Sequence, residues 1–257
     1  MPRSLCAEIG RPVFDFNTVG STNEVAKRLA ARGALHGAIV LSNNQTAGKG
    51  RLGKQWHSQA GGLYFSILLK PTLEIDRMPM VTLLIGASVA KAVETTIGMK
   101  PRLKWPNDVL YQGRKLAGIL VESSLKQHKA SYLIAGIGIN VCQKEGDFPE
   151  AIRDQVTSLR LVSGRSVSKN VLLRHCLEYL DEDFRMMLDH GFESALETWL
   201  EYAQIKNKCV CVQLKNEQKT GFFKHLSENG TVHITIDQRE EWFPANQIER
   251  MADAACS

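Results

Sequence analysis

Gly48-Lys49-Gly50-Arg51-Leu52-Gly53-Lys54-Gln55-Trp56 is the stretch around which the rest of the chain is organised. Three glycines alternate with three cations, and a tryptophan closes the run. Glycine lets backbone N–H groups approach an anion and tolerates positive φ. Successive N–H groups in such a turn form an anion-binding concavity. Lys49, Arg51 and Lys54 add charge-assisted hydrogen bonds to phosphate oxygens, and Trp56 offers a flat face to a base. Taken alone, the run is equally well a solvated basic turn. Its neighbours decide between the two.

Upstream, Ser21-Thr22-Asn23-Glu24 has the spacing of a capping box at a helix start, where spare backbone N–H groups are also presented. Gln45 follows the strand Ala38-Ile39-Val40-Leu41 and carries both a donor and an acceptor. Downstream come Lys104-Trp105-Pro106-Asn107-Asp108, then Gly113-Arg114-Lys115-Leu116-Ala117-Gly118, then Gly136-Ile137-Gly138-Ile139-Asn140. Pro106 forces an extended entry, which fixes Asn107 and Asp108 at a bend beside a sheet. A strand-end lysine such as Lys115, or a loop glutamine such as Gln45, is by itself an ordinary solvated residue.

In identity, order and spacing these stretches closely resemble the biotin–protein ligases, from about residue 15 to about residue 140. One departure stands out. The family loop reads Gly-Arg-Gly-Arg-x-Gly-Arg-x-Trp, and Lys49 and Lys54 replace two of its arginines. Lysine keeps the charge and loses the planar two-pronged donor.

The resemblance implies an enzyme that joins biotin to AMP at the expense of ATP, and passes it to a lysine of a biotin carboxyl carrier protein. It implies biotin contacts from Ser21, Thr22, Asn23, Gln45, Lys49, Gly50, Arg51 and Lys115. ATP and adenylate contacts fall to Gly48, Arg51, Lys54, Trp56, Asn107, Lys115 and Asn140. Lys115, Arg51 and Asp108 are the candidate catalytic groups, with Lys115 bridging the biotin carboxylate and the α-phosphate. Asn107 or Asp108 is a candidate for positioning Mg²⁺ alongside the phosphates; Asp108 is alternatively a group that orients or deprotonates the incoming lysine. Three alternatives stay open: a lipoate-type protein ligase, a non-enzymatic nucleic-acid binder, and a carrier-binding protein without turnover. The first lacks its own glycine-rich arginine motif here, and the second rests on a pI near 8.9 and the C-terminal β pattern.

The chain has 257 residues, 44% hydrophobic and 23% charged, which suits one large globular domain with a small one. No apolar run reaches the roughly 18 residues of a membrane span, and no signal peptide is read at Met1-Pro2-Arg3-Ser4-Leu5-Cys6. A cytoplasmic protein is expected, with no membrane or DNA partner and with its six scattered cysteines reduced. Twenty residues precede Ser21, below the roughly 40 that an unsupported domain needs. Some family members carry a DNA-binding domain there, and none is expected here.

The fold class expected is α+β: a mixed, largely antiparallel sheet backed by helices, of the class II synthetase-like ligase type, with a small SH3-like β-barrel after it. The boundary is placed between 1–205 and 206–257. Leu63–Leu69 reads as a buried strand and Met80–Ile97 as a helix apolar nearly all round. Val171–Leu188 shows a three-four apolar stripe that includes Cys176. Beyond Lys206 the period changes to two, and Glu228-Asn229-Gly230 marks a hairpin. The Leu116–Glu122 and Tyr132–Ile139 strands are expected to supply a sheet edge for a homodimer.

Overall fold

The computed structural model describes residues 9–70, 77–126 and 129–254. The sequence also reads as a hairpin-like turn at Gln127-His128-Lys129, of which residues 127 and 128 lie outside the described residues. In chain order the elements are β1 (Val13–Val19), α1 (Thr22–Ala31), β2 (Ile39–Gln45), β3 (Gly62–Leu69), α2 (Met78–Ile97), β4 (Arg102–Lys104), β5 (Asp108–Tyr111), β6 (Arg114–Lys126) and β7 (Lys129–Asn140). They continue as α3 (Leu159–Ser163), α4 (Lys169–His190), α5 (Glu193–Ala203), β8 (Cys209–Gln213), β9 (Gln218–Leu226), β10 (Thr231–Ile236), β11 (Arg239–Pro244) and β12 (Arg250–Asp253).

Strands β1 to β7 form one seven-stranded sheet in the order β1-β2-β3-β7-β6-β5-β4. Only the β1–β2 pair is parallel, so the sheet is mixed as expected. β3 sits near its centre and is buried along its whole length. Alternation sends Phe65, Ile67 and Leu69 into the main core and Leu68 to the opposite face. On the main face lies α2, whose all-round apolarity is explained by burial between the sheet and α4 and α5. By length and composition α2 alone among the described helices would suit a bilayer; here it is the core helix. On the opposite face Val25, Ala26 and Ala30 of α1 pack on Val40, Leu68 and Ile134.

Strands β8 to β12 form a five-stranded antiparallel sheet in the order β11-β10-β9-β8-β12, the SH3-like module expected from the period of two. Asn229-Gly230 makes the β9–β10 turn, with Gly230 at φ 81°. The β10–β11 turn escaped sequence reading because it uses two non-glycine residues in the left-handed region, Asp237 (φ 48°) and Gln238 (φ 65°). The module packs closely on α2: a Cβ on Gly230 would meet Met80 Cε at 2.2 Å. Arg102 of β4 clasps both oxygens of Asp253 at 2.6 Å each.

Three expectations need correction. Ser21 is the N-cap residue of α1, but its side chain makes no capping hydrogen bond, and Glu24 is engaged by lysines instead. β6 and β7 are interior strands rather than edges; beyond Gly118, however, β6 has no β5 pairing on its far flank. Cys209 is disulfide-bonded, whereas Cys142, Cys176 and Cys211 are free. Cys176 is fully buried on α4, and burial pushes its thiol up to about 12. At pH 8 iodoacetamide should therefore label Cys142 and Cys211 on the folded chain and reach Cys176 only in denaturant, as peptide mass mapping would show.

Candidate active site

A cavity of about 530 Å³ opens on the α1 face of the large sheet and reaches the small one. Its inner wall begins at the polar start of α1. Ser66 of β3, fully buried, lies 2.7 Å from Thr22 Oγ1 and 2.6 Å from Asn23 Oδ1. Gln45 at the end of β2 accepts from the Thr22 backbone N–H at 2.8 Å and donates to Ser58 Oγ at 2.7 Å. Asn23 Nδ2 donates to Glu122 Oε2 at 2.7 Å. Thr22, Asn23 and Gln45 line the cavity and are already braced from behind by Ser66, Ser58 and Glu122, so a ligand meets a preformed polar wall.

The glycine–cation run is a tight hairpin. Gly50 N–H donates to Lys54 O at 2.7 Å, and Trp56 N–H donates to Gly48 O at 3.0 Å. Its tip is a single 3-10 turn in which Leu52 takes φ 54° and is exposed. Gly48 lies behind the hairpin: a Cβ there would strike Trp56 O at 2.4 Å. Trp56 lies on β6 and β7 because both strands are bare below it. A Cβ on Gly138 would meet its Nε1 at 2.4 Å, and one on Gly118 its ring at 3.0 Å. Gly136 performs the same service for Asn23, whose Oδ1 would lie 2.2 Å from an added Cβ. The buried Trp56 indole N–H has no partner among the described residues and remains a free donor.

Facing the hairpin, the Lys115 ammonium stands 2.6 Å from Asp108 Oδ1, close enough for an ion pair though poorly aimed for a hydrogen bond. The same ammonium lies 5.2 Å from the Trp56 ring centre. Lys115 is fixed from behind, since its carbonyl accepts from Thr157 N–H at 2.9 Å. Asn107 is a strut: its Nδ2 donates to Ile119 O at 2.8 Å and its Oδ1 accepts from Arg51 at 3.4 Å. Burial lowers the Arg51 pKa, opposed by Asp108 and Glu249; the guanidinium also reaches Glu249 O at 3.4 Å. Burial likewise depresses Lys104, with Arg250 adding to it.

Residues 16–140 match the Biotin/lipoate A/B protein ligase family. The structure titled biotin protein ligase from Aquifex aeolicus in complex with biotin and ATP is 31% identical, with a TM-score of 0.82 over 95% of this chain and 100% of that one. The chain belongs to the biotin protein ligase family. The biotin–[acetyl-CoA-carboxylase] ligase of Paracoccus denitrificans is 27% identical over 89% of this chain and 96% of its own length. The bifunctional ligase/repressor BirA of Bacillus subtilis is 35% identical over 76% of this chain. Of that relative's own length the chain spans 60%.

Of the family positions expected from sequence, Ser21, Thr22, Asn23, Gln45, Lys49, Gly50, Arg51, Lys54, Trp56, Asn107, Asp108 and Lys115 all line the cavity. Gly48 and Asn140 do not. Asn140 is buried at the end of β7, where Nδ2 donates to Thr157 O at 2.9 Å and Oδ1 accepts from Gln143 at 3.4 Å. It braces the segment behind Lys115. Sequence reading missed Gln155, and it missed Gln213, Glu249 and Arg250 of the small sheet. No local pattern marks these, because only tertiary docking brings them to the cavity.

Among the described residues no group of three His, Cys, Asp or Glu side chains could hold a metal ion. Asp108 is paired with Lys115, and the Asn107 amide is in use at both ends. Asn107 and Asp108 alone are too few to hold a metal, and Mg²⁺ typically takes few protein oxygens alongside phosphate oxygens.

The bare strip on β7 gives a direct test. Gly136→Ala should cost about 1–3 kcal/mol through overpacking against Asn23, read from the urea midpoint. Gly146→Ala, with nothing within 4 Å of the added Cβ, should leave the midpoint unchanged.

Proposed function

We propose that the chain is an ATP-dependent biotin–protein ligase acting on a lysine of a biotin carboxyl carrier protein. The observation that carries this is one cavity shared by the braced polar start of α1, the Arg51 hairpin and the Asp108–Lys115 pair. In the first step a biotin carboxylate oxygen attacks the α-phosphorus of ATP, the bond to the bridging oxygen breaks and pyrophosphate leaves. In the second, the carrier amine attacks the acyl carbon, the bond to AMP breaks and the amine gives up a proton.

The polar wall of Ser21, Thr22, Asn23 and Gln45 receives the biotin head. Arg51, with Lys49 and Lys54, grips phosphate, and Trp56 lies flat beside the adenine. Negative charge grows on carboxylate and phosphate oxygens in both steps, so fixed cations next to them dominate catalysis. Lys115 swings its ammonium from Asp108 to that junction. Asp108 is then released to orient the carrier amine and accept its proton. Closing the hairpin excludes water from the anhydride. The same reading places the domain boundary near residue 205, with the small module completing the cavity through Glu249 and Arg250. It also takes the protein to work in the cytoplasm, as a homodimer, without DNA.

Purified protein given ATP, biotin and an apo carrier domain should release pyrophosphate and add one biotinyl mass to a single carrier lysine. Transfer of lipoate and none of biotin would overturn the assignment. Lys115→Ala should slow adenylate formation by on the order of 10²–10³ with the fold retained. Turnover equal to wild type would remove Lys115 from the mechanism.

Arg51→Gly should also leave the fold intact, since its protein contacts are long, at 3.4 Å. A charge-assisted hydrogen bond contributes roughly 1.5–3 kcal/mol, so adenylate should dissociate about tenfold to more than a hundredfold faster. The escaping anhydride should label lysines of a bystander protein, visible by streptavidin blot.

A further inference from the structure

Glu24 sits on the first turn of α1, where its spacing from Ser21 suggests a capping role that it does not perform. Its Oε1 instead receives two ammonium groups, Lys49 at 2.7 Å and Lys27 at 2.9 Å. Lys27 carries the contact on to Glu122 of β6 at 2.7 Å, and Glu122 in turn accepts from Asn23 at 2.7 Å. Lys49 and Lys27 together hold the Glu24 carboxyl at about 2, well below the usual range.

The other end of the hairpin returns to the same helix turn by neutral bonds. Ser58 Oγ donates to Trp56 O at 3.2 Å and accepts from Gln45 Nε2 at 2.7 Å. Gln45 Oε1 then accepts from Thr22 N–H at 2.8 Å. Lys49 and Gln55 pair across the hairpin, so its two arms move together. Both arms are therefore tied to the residues that begin α1, one by charge and one by amide and hydroxyl.

We propose that Glu24 is a positioning residue: by holding Lys49 it keeps the glycine–cation hairpin against the start of α1 before any ligand arrives. The inference rests on the biotin-ligase reading and adds to it a residue outside the cavity lining. An arginine at position 49 could span two partners at once, whereas a lysine presents a single compact ammonium. Glu24 is the carboxylate that ammonium meets. A loop ordered beforehand costs less to order on binding, so the gain should appear in substrate affinity rather than in the chemical step. Its size is limited, because the Glu24 and Lys49 side chains are 37% and 48% exposed.

The test compares Glu24→Gln, Glu24→Asp and Glu24→Lys with wild type by two readouts. The first is amide hydrogen exchange at residues 48–56 in the ligand-free protein. The second is steady-state kinetics with biotin and ATP varied separately. For Glu24→Gln, exchange in the hairpin and the KM values for biotin and ATP should each rise roughly two- to fivefold, with kcat and the melting temperature unchanged. Glu24→Asp should recover part of the loss, and Glu24→Lys should exceed it. Unchanged exchange at 48–56 in Glu24→Lys would overturn the proposal. So would kcat and both KM values shifting together with the melting temperature, since that marks a merely structural helix residue. If wild type transfers no biotin, the functional reading fails, and the exchange comparison still decides whether Glu24 holds the hairpin.

Discussion

The start of α1 is fixed to the large sheet through one buried hydroxyl. Ser66 sits in the middle of a strand buried on both faces, where an unpartnered polar group would be costly. A hydroxyl has a single proton. Asn23 Oδ1 at 2.6 Å and the Thr22 hydroxyl at 2.7 Å both lie within reach of it, and Thr22 passes its own proton on to Gln45 Oε1 at 3.1 Å. Gln45 Oε1 also accepts from the Thr22 backbone N–H. This small closed set locks the start of α1 onto the sheet, and the hairpin, the glycine strip and the Glu122 network all take their positions from it.

The charge pattern of the cavity follows from the same frame. Cations arrive from the hairpin, from β4, from β6 and from the small sheet, and they face only Asp108 and Glu249 as acidic lining. Burial lowers the pKa of both Arg51 and Lys104, and at Lys104 the neighbouring Arg250 and Lys115 add to it. A nucleotide's phosphates relieve that cost, so the site is electrostatically prepared for an anion.

Much of this was legible in the sequence, for identifiable reasons. The Gly48–Trp56 run, the bend at Asn107–Asp108 and Lys115 carry short-range patterns, and all three were found where such patterns place them. The long helices were legible because α2 and α4 show their burial in their apolar spacing. Asn140 does not line the cavity, because a motif position says nothing of which way an amide is turned, and here it points into the protein. The capping box at Ser21 failed because a lysine distant in sequence takes Glu24. Gln213, Glu249 and Arg250 were invisible, since their place in the cavity depends on how two sheets dock. The turn at Asp237-Gln238 lacked the glycine that would have announced it.

The docking of the small sheet on α2 has a consequence for how the protein matures. Gly230 against Met80 and Arg102 clasping Asp253 join the last strands to the centre of the chain. The cavity draws on residues from Ser21 to Arg250, so its walls belong to nearly the whole length of the polypeptide. No nascent fragment holds a complete site. Synthesis must pass Arg250 before the cavity is complete, and a molecule held there would stabilise every element that lines it.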